Sequence, residues 1–423
     1  MDKLIITGPN TLSGVVEASS SKNATLPILA ASILFPQKII FNKLPPLSDI
    51  NFFIQILESL GAKCSGELER KTILASEINS TVAEYELVRK MRASILVLGP
   101  LLSRFGTATV SLPGGCAIGS RPVDIHLSGL EKMRAEIIIE KGYVKAKASR
   151  LKGSHISLSF PSVGATENLM MAAVWAEGET VLENVAREPE IVDLANFLKQ
   201  FGTKIEGAGT KIIRIQGRNI NEYISTTENE YQIIGDRIEA ATYVIAGLMT
   251  NSNITVKGFN PEHIQAVTDI LRKMGAKLEV SNDSIEVFPH STALSAVETE
   301  TCPFPGFPTD VQAQLMALMG VSTGQSLLSE HIFENRFMHV PELIRMGMDI
   351  QLDGSTAIIK GVNQLSCAPV MCTDLRASAA LVLAGLVAEG DTHVHRIYHL
   401  DRGYERLAEK FQALGAKIQR VKA

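Results

Sequence analysis

A segment of the form Leu-x-x-apolar-Gly-Ala-Lys recurs along this 423-residue chain and constrains its fold more than any other feature. Copies stand at 57–63, 130–136, 198–204, 271–277, 343–349 and, with Phe in first place, 411–417. Gly61, Arg134, Gly202, Gly275, Gly347 and Gly415 hold the glycine position, a period of roughly 70 residues. In each copy an amphipathic helix runs up to this position, where a left-handed residue ends it, and alternating apolar and polar residues follow as strands. Residues 204–206 with 211–215, and 277–280 with 284–287, read as short hairpins. A second helix rich in Ala, Leu and Met lies upstream, as at 168–177 and 378–389, and leads into a strand such as 179–182. Each unit therefore reads βαβαββ. The Ala-rich helices are apolar nearly all round, so sheets are expected to enclose them, while the motif helices keep a polar face for water.

A chain of this length exceeds what one core usually organises, which favours two α/β domains of three units each. A single continuous solenoid is the alternative; the irregular first and fourth junctions argue against it. Apolar residues make up 45%, charged residues 20% and aromatic residues 5%, which excludes a disordered chain and leaves little for stacking on single-stranded nucleic acid. Forty-one Lys and Arg against 45 Asp and Glu give a net charge of −4, so no global field favours a polyanion or a membrane. The longest apolar runs, 26–35 and 377–388, fall short of the roughly 20 residues a spanning helix needs. The start, Met1-Asp2-Lys3-Leu4, lacks a signal-peptide pattern, so a cytoplasmic protein is expected. Five cysteines without zinc spacing read as free thiols, with Cys64, Cys302, Cys367 and Cys372 as small buried hydrophobes. His393 and His395 share a strand face, but no further ligands accompany them, and no metal is expected.

Four stretches carry candidate chemistry. The loop at 112–124 combines Gly114, Gly115 and Gly119 with a lone thiol, Cys116, near Arg121. A guanidinium there would lower a thiol from its usual value of about 8.5 and ready it for proton transfer or attack. The plainer reading is a Gly-rich turn with an incidental cysteine. Ser21-Lys22-Asn23 opens a buried helix and offers a cation, an amide and free N–H groups to a phosphate, or merely a capping turn. Arg92 and Arg376 share the pattern Arg-Ala-Ser at helix starts, and Arg402 follows Asp401; guanidiniums suit a small dianion, though singly each reads equally as a surface ion pair. Asp310, at the start of a buried helix, is a candidate carboxylate or a helix cap.

Taken together, 21–24, 91–94, 112–124, 162–166, 187–193, 307–310, 333–339, 373–378 and 401–404 make the chain resemble, over its whole length, the UDP-N-acetylglucosamine enolpyruvyl transferases of the EPSP synthase superfamily. The resemblance implies an inside-out α/β barrel of two domains, each of three βαβαββ units: 22–234, and 1–21 with 235–423, the active-site cleft lying between them. It implies transfer of the enolpyruvyl group of phosphoenolpyruvate to the 3-hydroxyl of UDP-N-acetylglucosamine with loss of phosphate, an early step toward peptidoglycan. Cys116 then matches the proton donor, able to form a covalent adduct with phosphoenolpyruvate, and Asp310 the general base on the sugar hydroxyl. Lys22, Arg121 and Arg402, with Arg376 nearby, match the phosphoenolpyruvate grip, and Asn23 the residue that orients the reactants. Arg92, Arg121, Pro122, Val123, Asp124, Ile125, Ser162, Val163, Gly164, Asp310 and Ile332 match the UDP-sugar site. No metal or separate cofactor is implied; the partners are the two small substrates, the state is monomeric, and the epoxide fosfomycin is the expected inhibitor. The chain departs from the pattern at Ser20-Ser21, where many members have Gly-Ala, and at Phe160 and Phe304, which puts affinity in question. The sister enzymes acting on shikimate 3-phosphate lack the cysteine loop, and a silent UDP-sugar-binding regulator has no need of both an acid and a base.

Overall fold

The computed structural model describes residues 2–89, 91–112, 123–220 and 229–422. They form two compact units: residues 2–19 with 235–422, and the described residues from Ser20 to Ile234. Each has its own apolar core.

Among the described residues the strands make six four-stranded sheets, three per unit, all of one pattern. In one of them His155–Ser157 runs parallel to Glu179–Glu183, which pairs antiparallel with Ile212–Gln216, itself antiparallel to Lys204–Glu206. Alternation sets the faces: Ile213 and Ile215 point into the core, while Arg214 and Gln216 face water. Three sheets take a strand from far away in sequence. Asp2–Gly8 lies between Gly390–His395 and Ile418–Lys422, Ser13–Glu17 joins Asn253–Lys257, and Glu230–Gln232 joins Lys38–Asn42.

Six helices are largely buried: α1 (Lys22–Ala31), α2 (Leu98–Phe105), α3 (Val163–Ala173), α4 (Arg237–Met249), α5 (Gln312–Met319) and α6 (Leu375–Val387). In α6 every residue from Arg376 to Leu386 is buried, which matches a segment apolar all round. Within one unit α4, α5 and α6 pack on one another; within the other, α3 packs on α1 and α2.

The structure corrects some local expectations. The helices read at 168–177 and 378–389 begin earlier, at Val163 and Leu375. Polar caps set those starts, and a window of apolar residues passes over them: Ser162 accepts the N–H of Ala165, and Asp374 accepts those of Arg376 and Ala377. Only one of the four cysteines read as buried is so, Cys372; Cys64 and Cys302 are half-buried and Cys367 is exposed. The repeat glycines adopt φ of 105°, 88°, 101°, 92° and 97°, and Arg134 takes the same left-handed role at 72°. No helix among the described residues is long and apolar enough to cross a membrane.

Candidate functional site

Of the described candidate residues, Lys22, Asn23, Arg92, Ser162, Val163, Gly164, Asp310 and Arg376 stand where the buried helices begin. That follows from the fold: a helix buried on all sides presents polar groups only at its ends, where free N–H groups also need partners.

At the start of α5, Asp310 lies in the short turn Thr309–Val311 and makes no cap. Its carboxylate instead accepts two charge-assisted hydrogen bonds, from Arg336 Nη2 at 2.8 Å and Arg376 Nη2 at 3.2 Å. Both arginine side chains are almost fully buried, at 4% and 3% exposure, against 27% for Asp310, so the carboxylate is the part that reaches solvent. Burial opposes the charge on Arg376, but Asp310, Tyr404 and Asp236 together outweigh it and hold the guanidinium above its ordinary value. The Arg376 guanidinium also sits 5.5 Å from the ring centroid of Tyr404. The Tyr404 hydroxyl meets Thr242 Oγ1 at 3.0 Å and Gln314 Nε2 at 3.1 Å, and Gln314 donates to the Asp310 carbonyl at 3.0 Å, which ties α4, α5 and the 404 segment together. Such an arrangement fixes the orientation of the carboxylate and favours its ionised form.

Glu330, which the sequence reading did not single out, fixes the neighbouring turn. Its Oε1 accepts the N–H groups of Ile332 and Phe333 at 2.7 and 3.1 Å and the Thr301 hydroxyl at 2.8 Å; its Oε2 accepts the Thr309 hydroxyl at 2.8 Å. Ile332 and Asp310 are thereby held on one frame. Arg402 ends the turn Ile397–Arg402, where its charge and that of Arg396, after burial, push His399 down.

In the other unit, Lys22 and Asn23 are the first residues of α1, capped by Ser21, whose hydroxyl accepts the Ala24 N–H at 3.3 Å. The departure to Ser21 thus supplies a helix cap. Lys22 Nζ pairs with the buried Asp49 at 3.5 Å. Arg92 opens the turn Arg92–Val97 that leads into α2, and Ser162, Val163 and Gly164 open α3. Val123, Asp124 and Ile125 start the helix Asp124–Lys132, whose His126 is buried against Asn168 of α3, Nδ1 to Nδ2 3.1 Å. Cys116, Arg121 and Pro122 lie outside the described residues.

Of the other departures, Phe160 is 43% exposed, and Phe304 carries the Arg237 guanidinium 5.6 Å from its ring centroid. His393 and His395 stand 6.4 Å apart, and no group of three metal-binding side chains occurs among the described residues. Sequence reasoning gave no role to Arg336, Asp49, Glu330 or His126. For Arg336 a signal existed, since it falls inside the quoted stretch 333–339.

The family model for EPSP synthase (3-phosphoshikimate 1-carboxyvinyltransferase) matches residues 6–411. A UDP-N-acetylglucosamine 1-carboxyvinyltransferase of Trichlorobacter lovleyi is 53% identical over 422 residues, covering 100% of this chain and 99% of its own. The protein of the same name from Nitratidesulfovibrio vulgaris is 51% identical over 422 residues, covering 100% of both. Among solved structures, the enolpyruvyl transferase NikO of Streptomyces tendae is 26% identical with a TM-score of 0.89, covering 100% of this chain and 99% of that one. EPSP synthase of Acinetobacter baumannii, 18% identical with a TM-score of 0.76 over the whole of both chains, shares the fold.

Proposed function

Because the chain belongs to the EPSP synthase family, we propose that it transfers the enolpyruvyl group of phosphoenolpyruvate to the 3-hydroxyl of UDP-N-acetylglucosamine, the first step toward the peptidoglycan precursor. What carries this reading is half-identity along the whole chain to proteins named for that reaction.

In the proposed course the sugar hydroxyl adds to C2 of phosphoenolpyruvate while C3 takes a proton, giving a tetrahedral ketal. Loss of a C3 proton then expels phosphate and restores the double bond. Asp310 is the base on the hydroxyl. Two guanidiniums hold its carboxylate ionised and fixed but also reduce its basicity. Proton transfer to it therefore accompanies C–O bond formation, when the hydroxyl becomes acidic, and does not precede it. Cys116 delivers the C3 proton and can bond covalently to phosphoenolpyruvate. Lys22, Arg121 and Arg402 grip the phosphate and carboxylate, with Arg376 close by, and Asn23 orients the reactants. Arg92, Pro122, Val123, Asp124, Ile125, Ser162, Val163, Gly164 and Ile332 line the nucleotide sugar. Fixed cations carry the developing charge, so the scheme calls for no metal.

The six sheets and six enclosed helices are read as six βαβαββ units, an inside-out α/β barrel in each half of the chain. A cytoplasmic monomer fits substrates made inside the cell. Cys116→Ser tests the assignment of the acid: the variant is expected to lose most turnover near neutral pH and to resist alkylation by fosfomycin. Full activity in Cys116→Ser would remove the thiol from the mechanism.

A further inference from the structure

Arg420 ties three segments of the chain together. It lies on the strand Ile418–Lys422, opposite Leu4 of the strand Asp2–Gly8. Its Nη1 and Nη2 donate to Oδ1 and Oδ2 of Asp401, each at 2.8 Å, and its Nε donates to Oδ2 of Asp2, also at 2.8 Å. The planar guanidinium meets the Asp401 carboxylate as a two-pronged fork, which fixes the angle of the carboxylate as well as its distance. These bonds to Asp401 contribute most to holding the guanidinium above its ordinary value. The two side chains are 43% and 37% exposed, and an ion pair so open to water adds little stability. What the fork supplies is direction.

Asp401 is next to last in the turn Ile397–Arg402. A turn of this kind has about three residues per revolution, so side chains three apart share a face and neighbours diverge by about 120°. Ile397 and Leu400 are buried and take the face toward the core. Tyr398 and Asp401 take the second face, where Arg420 holds Asp401. His399 and Arg402 share the third, and the charge of Arg402 adds to the burial that pushes His399 down. The far end of the turn is fixed as well. A Cβ on Gly403 would lie 2.5 Å from Leu375 Cδ1, so the backbone there presses on the first residue of α6, beside Arg376. With the core face and the second face both anchored, the turn cannot roll about its own axis, and the direction of Arg402 is set.

We propose that Arg420 is a positioning residue for the reaction: through Asp401 it aims Arg402 at the phosphoenolpyruvate anion. The inference rests on the function proposed above and adds to it a residue that acts only through another. A guanidinium turned off line cannot offer two parallel hydrogen bonds to a phosphate or a carboxylate. Loss of the clamp therefore weakens the grip on phosphoenolpyruvate and leaves the nucleotide sugar alone.

Phosphate-release kinetics of the full chain, in wild type, Arg420→Ala, Asp401→Ala, the double variant and Arg420→Lys, test this, with calorimetry of UDP-N-acetylglucosamine binding alongside. Arg420→Ala is expected to raise KM for phosphoenolpyruvate about 5-fold or more while the nucleotide sugar binds as in wild type. The double variant should match Arg420→Ala, because the two side chains work as one device. Lysine keeps the charge but cannot span both carboxylate oxygens, so Arg420→Lys should recover only part of the loss. An unchanged KM in Arg420→Ala, an equal loss for the nucleotide sugar, additive losses in the double variant or full recovery by lysine overturns the proposal. Should Arg420→Ala not fold, Asp401→Asn decides, since a neutral amide cannot accept the fork: the same rise in KM supports the proposal, and an unchanged KM overturns it. Wild-type turnover separates the two readings. A chain that turns over, with Arg420→Ala kinetics unaltered, loses only this inference; a wild-type chain that releases no phosphate loses both.

Discussion

Around the start of α5 the Asp310 carboxylate lies between the guanidiniums of Arg336 and Arg376, whereas around α3 the buried titratable groups, His126 and Glu167, are both held toward neutrality. The two helices occupy like places in units built from the same kind of sheet. In one the carboxylate has cations for neighbours; in the other Glu167 is pushed well up by burial first, and then by Glu190 and Glu188. A repeated scaffold fixes where polar groups are presented. The side chains that arrive there decide whether the groups at that place are held charged or neutral.

Three changes sharpen or break this contrast. The largest effect is expected for Asp310→Asn, which keeps the shape and removes the proton acceptor: turnover should fall by a factor on the order of 10² to 10⁴ in a phosphate-release assay. Near-normal rates would leave Asp310 as no more than a counter-ion for its arginines. On the other side, Glu167 binds more protons folded than unfolded, so wild-type stability falls as pH rises above its ordinary value of 4.5. Glu167→Gln removes this dependence, which is at most about 1.4 kcal/mol per pH unit. Urea unfolding at several pH values from 5 to 8 should show a variant whose advantage grows with pH, and parallel profiles would contradict a neutral Glu167. The smallest effect concerns the helix starts themselves. Ser162 caps α3 while no side chain caps α5, so Ser162→Ala should cost about 1 kcal/mol in urea unfolding, and no cost would deny the cap its role.

The repeat made much of the architecture legible in the sequence, because a helix stop followed by a hairpin leaves a local signature. Arg134 shows how well the position is defined: it takes the left-handed conformation where five other copies use glycine. Helix starts were less visible, since a single Ser or Asp sets them. Asp310 was legible as a candidate, but its partners Arg336 and Arg376, 26 and 66 residues away, became its partners only through folding. No spacing signals that Asn168 would meet the His126 ring across 42 residues, or that Glu330 would bind Thr309 and the turn at Ile332 with one carboxylate. Long-range polar contacts of this kind depend on which sheet edges and helix ends the chain brings together, and local pattern does not encode that.

Acceptor choice tests the central claim most directly. Phosphate release from phosphoenolpyruvate by the purified chain should proceed with UDP-N-acetylglucosamine and remain at background with shikimate 3-phosphate. Release with shikimate 3-phosphate, or with neither acceptor, would contradict it.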